Sequence, residues 1–204
     1  MRLLRATVAV VLLGWAPVAL QAQQSDEGRF ELGGQAAWVR AGQFDATDAG
    51  FGARVAWLPI PLLGLEAELN LYPGEFPGDR AFSGARVEGL FGTTIGVALD
   101  RFRPFARVRA GFVDVREAAD PFACILIYPP PLECALAAGR TLAAVDLGGG
   151  IDIPVTARTF VRIDVGDRLV RYPAPVFESS PRRIREDPFF GHDFRLATGA
   201  GLRF

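Results

Sequence analysis

From residue 192 to residue 204 the side chains alternate without a break. Phe194, Leu196, Thr198, Ala200, Leu202 and Phe204 share one parity, and Arg195, Ala197, Gly199, Gly201 and Arg203 share the other. Successive side chains of a strand point to opposite faces, so this stretch predicts a ribbon with one apolar face and one polar or very small face. Seven more segments read the same way. They cover residues 30–40, 50–58, 64–72, 83–96, 103–115, 141–153 and 159–172. In the third, Leu65, Ala67, Leu69 and Leu71 oppose Glu66, Glu68 and Asn70. In the sixth, Val145, Leu147, Ile151 and Ile153 oppose Asp146, Gly148, Gly150 and Asp152. Leu90 breaks the alternation of the fourth, where Arg86 and Glu88 hold the polar parity.

The connections alternate in kind. Pro59-Ile60-Pro61, the stretch around Asp100, and Pro154-Val155-Thr156 are short, whereas 41–49, 73–82, 116–140 and 173–191 are longer and rich in Pro, Gly and charge. An even number of strands joined by tight turns at one end and long loops at the other predicts an all-β, eight-stranded antiparallel up-and-down barrel that crosses a membrane, with both termini on the periplasmic side.

Alternation alone does not say which face is wet, since a ligand-carrying soluble barrel would line its cavity with the apolar rows. Two features choose. Glycines crowd the charged rows (Gly33, Gly52, Gly92, Gly111, Gly148, Gly150, Gly199, Gly201), as expected where a narrow interior leaves little room. The acids Glu66, Glu68, Glu88, Asp146, Asp152 and Asp164 are also roughly matched by Arg54, Arg86, Arg107, Arg109, Arg162, Arg195 and Arg203. Buried charges must be paired. The charged rows are therefore expected to fill the lumen as a network, and the apolar rows to face hydrocarbon.

Arg2 and Arg5 precede an apolar run from Ala6 to Trp15, and small residues follow to Ala22. That is the layout of an export signal, with an apolar core too short to span a bilayer. Cleavage is expected after Ala22, give or take a residue or two, dividing the chain into a signal peptide (1–22) and one barrel domain (23–204). The 204-residue sequence has a net charge of −1, which gives no reason to expect a nucleic-acid partner. Cys124 and Cys134 lie in one loop-like segment of an exported chain, where a disulfide is the default expectation. Two thiols with no histidine nearby make a poor zinc site. No metal or other cofactor is expected.

On the signal peptide, the short–long alternation, the run Phe160-Val-Arg-Ile-Asp-Val-Gly-Asp167 and the ending Phe194-Arg-Leu-Ala-Thr-Gly-Ala-Gly-Leu-Arg-Phe204, the chain resembles the eight-stranded outer membrane β-barrel family of the OmpA transmembrane-domain and OmpX type. The resemblance spans essentially the whole exported chain and implies residence in a Gram-negative outer membrane. It also implies that Phe204 is the signal read by the outer-membrane assembly machinery. It says little about activity, because this frame serves many roles, lipid A-modifying enzymes among them.

Such enzymes need a base, usually His, beside a nucleophile or water. The one histidine, His192, has Asp193 beside it and Phe194 where a serine would be needed, and Ser179 and Ser180 lie in a loop. The chain is therefore not expected to be an enzyme. Its loops are better candidates. Ile125 and Tyr128, close to Pro129, Pro130 and Pro131, would either present apolar groups to a partner or to lipid headgroups, or cover the barrel mouth. Arg182, Arg183 and Arg185 would suit the phosphates of lipopolysaccharide. Trp38 and Trp57 would sit in the two interfacial aromatic belts. The expected role is structural or surface-interacting, with outer membrane lipid or lipopolysaccharide as surroundings and an unspecified external partner. A small gated, porin-like channel is the alternative, and a lipid A-modifying enzyme a more distant one.

Overall fold

The computed structural model describes residues 30–74, 84–117, 128–179 and 182–204. The expected signal peptide lies outside these residues. Eight strands close into a barrel in which every neighbour is antiparallel: β1 (Phe30–Ala41), β2 (Ala46–Ile60), β3 (Leu63–Tyr72), β4 (Arg86–Gly96), β5 (Arg103–Val115), β6 (Arg140–Pro154), β7 (Thr159–Tyr172) and, last in the chain, β10 (Phe189–Arg203). The ring is sealed where β10 pairs with β1, from Glu31 against Arg203 to Ala41 against Asp193. Two further backbone hydrogen bonds join Phe30 and Phe204 reciprocally at 3.2 and 2.8 Å. A closed ladder leaves no open edge.

One end of the barrel carries only tight connections. Residues 61–62 join β2 to β3, and Pro59, which has no N–H to donate, lies within a register irregularity between Trp57 and Ile60. Residues 155–158 join β6 to β7, where the Thr156 hydroxyl accepts the N–H groups of Arg158 and Thr159.

At the other end the expectations need three corrections. The connection expected over 41–49 is a four-residue turn at 42–45, because β2 starts at Ala46 and its Asp48 points inward to pair with Arg86. Asp45 holds a left-handed φ of 48° there, a conformation Asp tolerates better than most residues. The connection expected over 116–140 contains a short helix, α1 (Leu132–Ala137), which stops where Gly139 takes a φ of 72°. The one expected over 173–191 contains a hairpin of β8 (Val176–Ser179) and β9 (Arg182–Arg185). Both elements are too short to carry a legible period.

The faces are inverted relative to a soluble domain. Phe91, Phe51, Ile95 and Val108 are 55–60% exposed on the outside, while Arg195, Glu88 and Asp146 are 0% exposed within. Leu147 and Ile163 point out and their neighbours Asp146 and Arg162 point in. Leu90, which seemed to break the alternation, obeys it. It faces inward and is buried, because one side of the lumen at the long-loop end is apolar rather than charged. Leu90, Val113, Leu142, Ala144, Val170 and Tyr172 line that side, and Leu132 and Leu136 of α1 and Val176 of β8 pack down onto them. Phe44 and Phe189 flank the Tyr172 ring at centroid distances of 6.1 and 5.6 Å. The mouth is thereby plugged from within the chain.

Candidate functional site

Eight buried arginines and the part-exposed Arg203 face nine buried carboxylates among the described residues, so the lumen is electrically neutral. The period of two places them there, since each strand of the polar side contributes every second residue to the interior.

At the short-turn end, Glu31 accepts Nε and Nη2 of Arg203 (3.0 and 2.6 Å) and both Nη groups of Arg54 (3.2 Å). The Phe160 ring lies beneath both guanidinium groups at 5.2–5.5 Å. One step inward, Asp152 meets Arg103 at 3.2 Å and Arg162 at 3.8 Å. Arg162 also stacks 3.8 Å over Phe105 and reaches Glu66 at 3.1 Å.

The central layer is the densest. Arg109 bonds Glu66 (3.3 Å), Glu68 (2.5 Å) and Asp146 (2.8 Å). Arg107 bonds Asp146 at 2.8 Å and also contacts Asp164. Arg195 contacts Glu68, and lies 3.3 Å from Asp164 and 3.6 Å from Glu88.

Above it, Arg168 bridges Glu88 and Asp193, the latter at 2.6 Å. Asn70 donates to Glu68 and Glu88 (2.5 and 2.8 Å) and accepts from Gln35 at 2.8 Å. The Gln35 bond passes from β1 to β3 over Gly52 of β2, where a Cβ would collide with the Asn70 carboxamide. Arg86 closes the column, paired with Asp48 at 2.7 Å and 5.2 Å over the Tyr72 ring.

Every acid and arginine assigned to the lumen from sequence is thus brought into one contact network. The expected charge network omits Glu31, Asn70 and Arg168, although they share its parity, and also Asp48, Tyr72, Arg103 and Asp193. Parity alone marks each of them as inward. Asp48 falls outside because the expected second strand starts at residue 50, whereas Asp193 lies within the expected last ribbon, on the parity of Arg195.

His192 faces outward. Its Nδ1 lies 2.7 Å from Asp167 Oδ2, and both side chains are exposed, at 71% and 48%. Among the described side chains no serine joins them on that face, where Phe194 is the next outward residue. Ser179 lies in β8 and Ser180 outside the described residues. Among the described residues no cluster of His, Cys, Asp or Glu is arranged to hold a metal.

The loop candidates are only partly described. Ile125 and Cys124 lie outside the described residues. Cys134 lies on α1 and is not a free thiol. Tyr128 is 85% exposed. Arg183 and Arg185 are on β9, with Arg185 4.8 Å over the Phe189 ring, and of Arg182 only the backbone position in β9 is described. Phe204 is exposed on the outer face at the short-turn end.

A closed antiparallel eight-stranded wall, apolar outside and charged within, has the architecture of the eight-stranded outer membrane barrels. Solved structures carry the same fold. The crystal structure of Neisserial surface protein A aligns over 87% of this chain and 99% of its own, with a TM-score of 0.54 and 14% identity. The N-terminal β-barrel domain of Pseudomonas aeruginosa OprF aligns over 87% and 99%, with a TM-score of 0.50 and 10% identity. No protein-family model and no curated protein matches the sequence.

Proposed function

We propose that the protein resides in a Gram-negative outer membrane as a structural or surface-interaction barrel, with the short-turn end in the periplasm and the long-loop end outside. The observation that carries this reading is the combination of an apolar outer wall with a lumen that is neutral, fully cross-linked by ion pairs, and covered at the long-loop end by α1 and β8. A conducting pore needs a continuous wet path with uncompensated groups along it. Here each carboxylate and guanidinium of the lumen has an ion-pair partner, although single buried atoms such as Asp146 Oδ1 and Arg107 Nη2 lack a hydrogen bond, and the apolar side of the upper lumen is packed by Leu132, Leu136 and Val176. This disfavours the porin-like alternative. The outward His192–Asp167 pair without a serine equally disfavours lipid A chemistry.

What remains on offer to the exterior is the loop end. Tyr128, Ile184 and Phe190 are exposed there, with Arg183 and Arg185 beside them on β9. In this reading Ile125 and Tyr128 supply apolar contacts to an external partner, and Arg182, Arg183 and Arg185 meet lipopolysaccharide phosphates. A Cys124–Cys134 disulfide restrains the loop, the first 22 residues direct export, and Phe204 is read by the assembly machinery.

The test has two parts. In planar bilayers the purified protein is expected to give no sustained discrete openings, and steady conductance would return the channel to first place. On intact cells, protease should cut the loops while sparing the barrel, and swapping the β8–β9 hairpin for a short Gly-Ser turn should abolish surface binding without changing insertion. Intact loops on protease-treated cells would remove the proposed orientation.

A further inference from the structure

We propose that the outer wall carries a binding site for one phospholipid, with an acyl chain lying in a groove at the β1–β10–β7 seam and the headgroup phosphate at Arg158. The proposal rests on the membrane reading above and adds to it a specific, retained ligand. Most of the wall is studded with large side chains such as Phe51, Phe91 and Val108. At the seam four outward side chains of β1 and β10 are small, Gly34, Ala36, Thr198 and Ala200, between Leu32 and Leu202 on one side and Trp38 and Leu196 on the other. Gly34 pairs with Ala200, which pairs with Val161, and the next outward row is Ala36, Thr198 and Ile163. The result is a depression of about 510 Å3 lined by Leu32, Gly34, Val155, Thr159, Val161 and Ala200 among others, almost all apolar surface. That volume falls within the ~300–1,000 Å3 of small-molecule sites.

Gly34 is not needed for the wall to close. A Cβ there would meet only the Gly52 carbonyl oxygen, at 3.9 Å, whereas a Cβ at the adjacent inward Gly33 would come within 2.9 Å of Ala200 O. Glycine weakens a strand and marks places where something approaches the backbone closely. On the outward face of a membrane barrel, hydrocarbon is what approaches. The groove ends at the 155–158 turn, where Val155 and Thr159 line it and Arg158 between them is exposed. An exposed arginine in the turn that bounds an apolar groove matches a lipid with phosphate at one end and a chain at the other. A second copy of the chain fits less well. A two-fold axis along the membrane normal would bring Arg158 toward the Arg158 of its partner at the same depth.

The experiment uses the full-length protein in vesicles of phosphatidylethanolamine and phosphatidylglycerol, extracted into mild detergent and weighed by native mass spectrometry. The wild-type barrel should retain one phospholipid, and Gly34→Phe, which fills the groove, should retain none. Arg158→Gln should lose the phospholipid but, in a second set of vesicles that also contain diacylglycerol, keep that phosphate-free lipid as well as the wild type does. Each variant is first checked for the gel shift of a folded barrel, and if Gly34→Phe lacks it, Ala200→Leu takes its place. Equal phospholipid retention in the wild type and the filled-groove variant would overturn the proposal. So would a wild-type dimer that the filling residue splits into monomers, since the occupant would then be a second copy. Failure of the wild type itself to enter vesicles would instead sink the membrane reading.

Discussion

At the scale of single residues, the lumen and the surface make opposite demands on the same kinds of side chain. Glu68 is buried, bonds Arg109 and contacts Arg195, and removing it would leave Arg109 with Glu66 and Asp146, Arg195 with Asp164 and Glu88, and the narrow interior one positive charge in excess. Breaking a buried pair by deleting one partner costs about 3–5 kcal/mol. Glu68→Leu should therefore lower the unfolding free energy by roughly that amount, read from urea titration of the barrel in lipid. Arg40 and Asp45 are also 2.7 Å apart, but their side chains are 66% and 82% exposed. Solvent screening reduces such a pair to about 0–1 kcal/mol. Arg40→Ala should leave the same titration nearly unchanged. If both substitutions cost alike, the lumen is wetter than its packing implies.

At the scale of elements, what was legible in the sequence was whatever obeys a period. The eight wall strands and their inward charges follow from alternation, because a strand that separates hydrocarbon from a filled lumen must alternate along its whole length. The plug was not legible. Leu132, Leu136 and Val176 sit on pieces of six and four residues, too short for a period to declare itself. Leu90, the one clue, reads as an error until its inward partners are known. The difference has consequences that can be measured. Phe91 lies near the middle of the outer wall, opposite Ala67 and Ala110, and Thr47 lies near the long-loop rim opposite Arg40. A cation facing lipid costs about 2–4 kcal/mol at the midplane and about 0–1 near the interface, so Phe91→Arg should destabilise the inserted barrel far more than Thr47→Arg. Leu136→Asp should behave differently from either. It should leave the wall intact, with the folded barrel keeping its gel shift, while the loop holding α1 becomes open to protease. Loss of the gel shift in that variant would mean the plug is part of the barrel's core rather than a cover on it.

At the scale of the whole molecule, the outer wall has a height, and the height can be derived. Along β10 the apolar outward run below His192 goes from Phe194 to Phe204, and along β5, three strands round the ring, another spans Phe102 to Phe112, each bounded by exposed aromatics. Each run is eleven residues long and so climbs ten rises. At ~3.3 Å per residue and a tilt of ~45°, ten rises amount to ~23 Å along the barrel axis. That agrees with the ~25 Å apolar band of outer membrane barrels and falls short of the ~30 Å core of an average bilayer. Two separated strands agreeing on one height is what a wall fitted to a slab requires, and a soluble barrel has no cause to show it. The mismatch should be felt as fractions of a kcal/mol per Å. Folding from urea into vesicles of short-chain lipids, with cores near ~23 Å, should therefore be more complete than into lipids near ~30 Å, judged by the fraction of protein that resists SDS without boiling. Equal yields across the series, or folding to the same state without any lipid or detergent, would show that the apolar band is not set by a membrane.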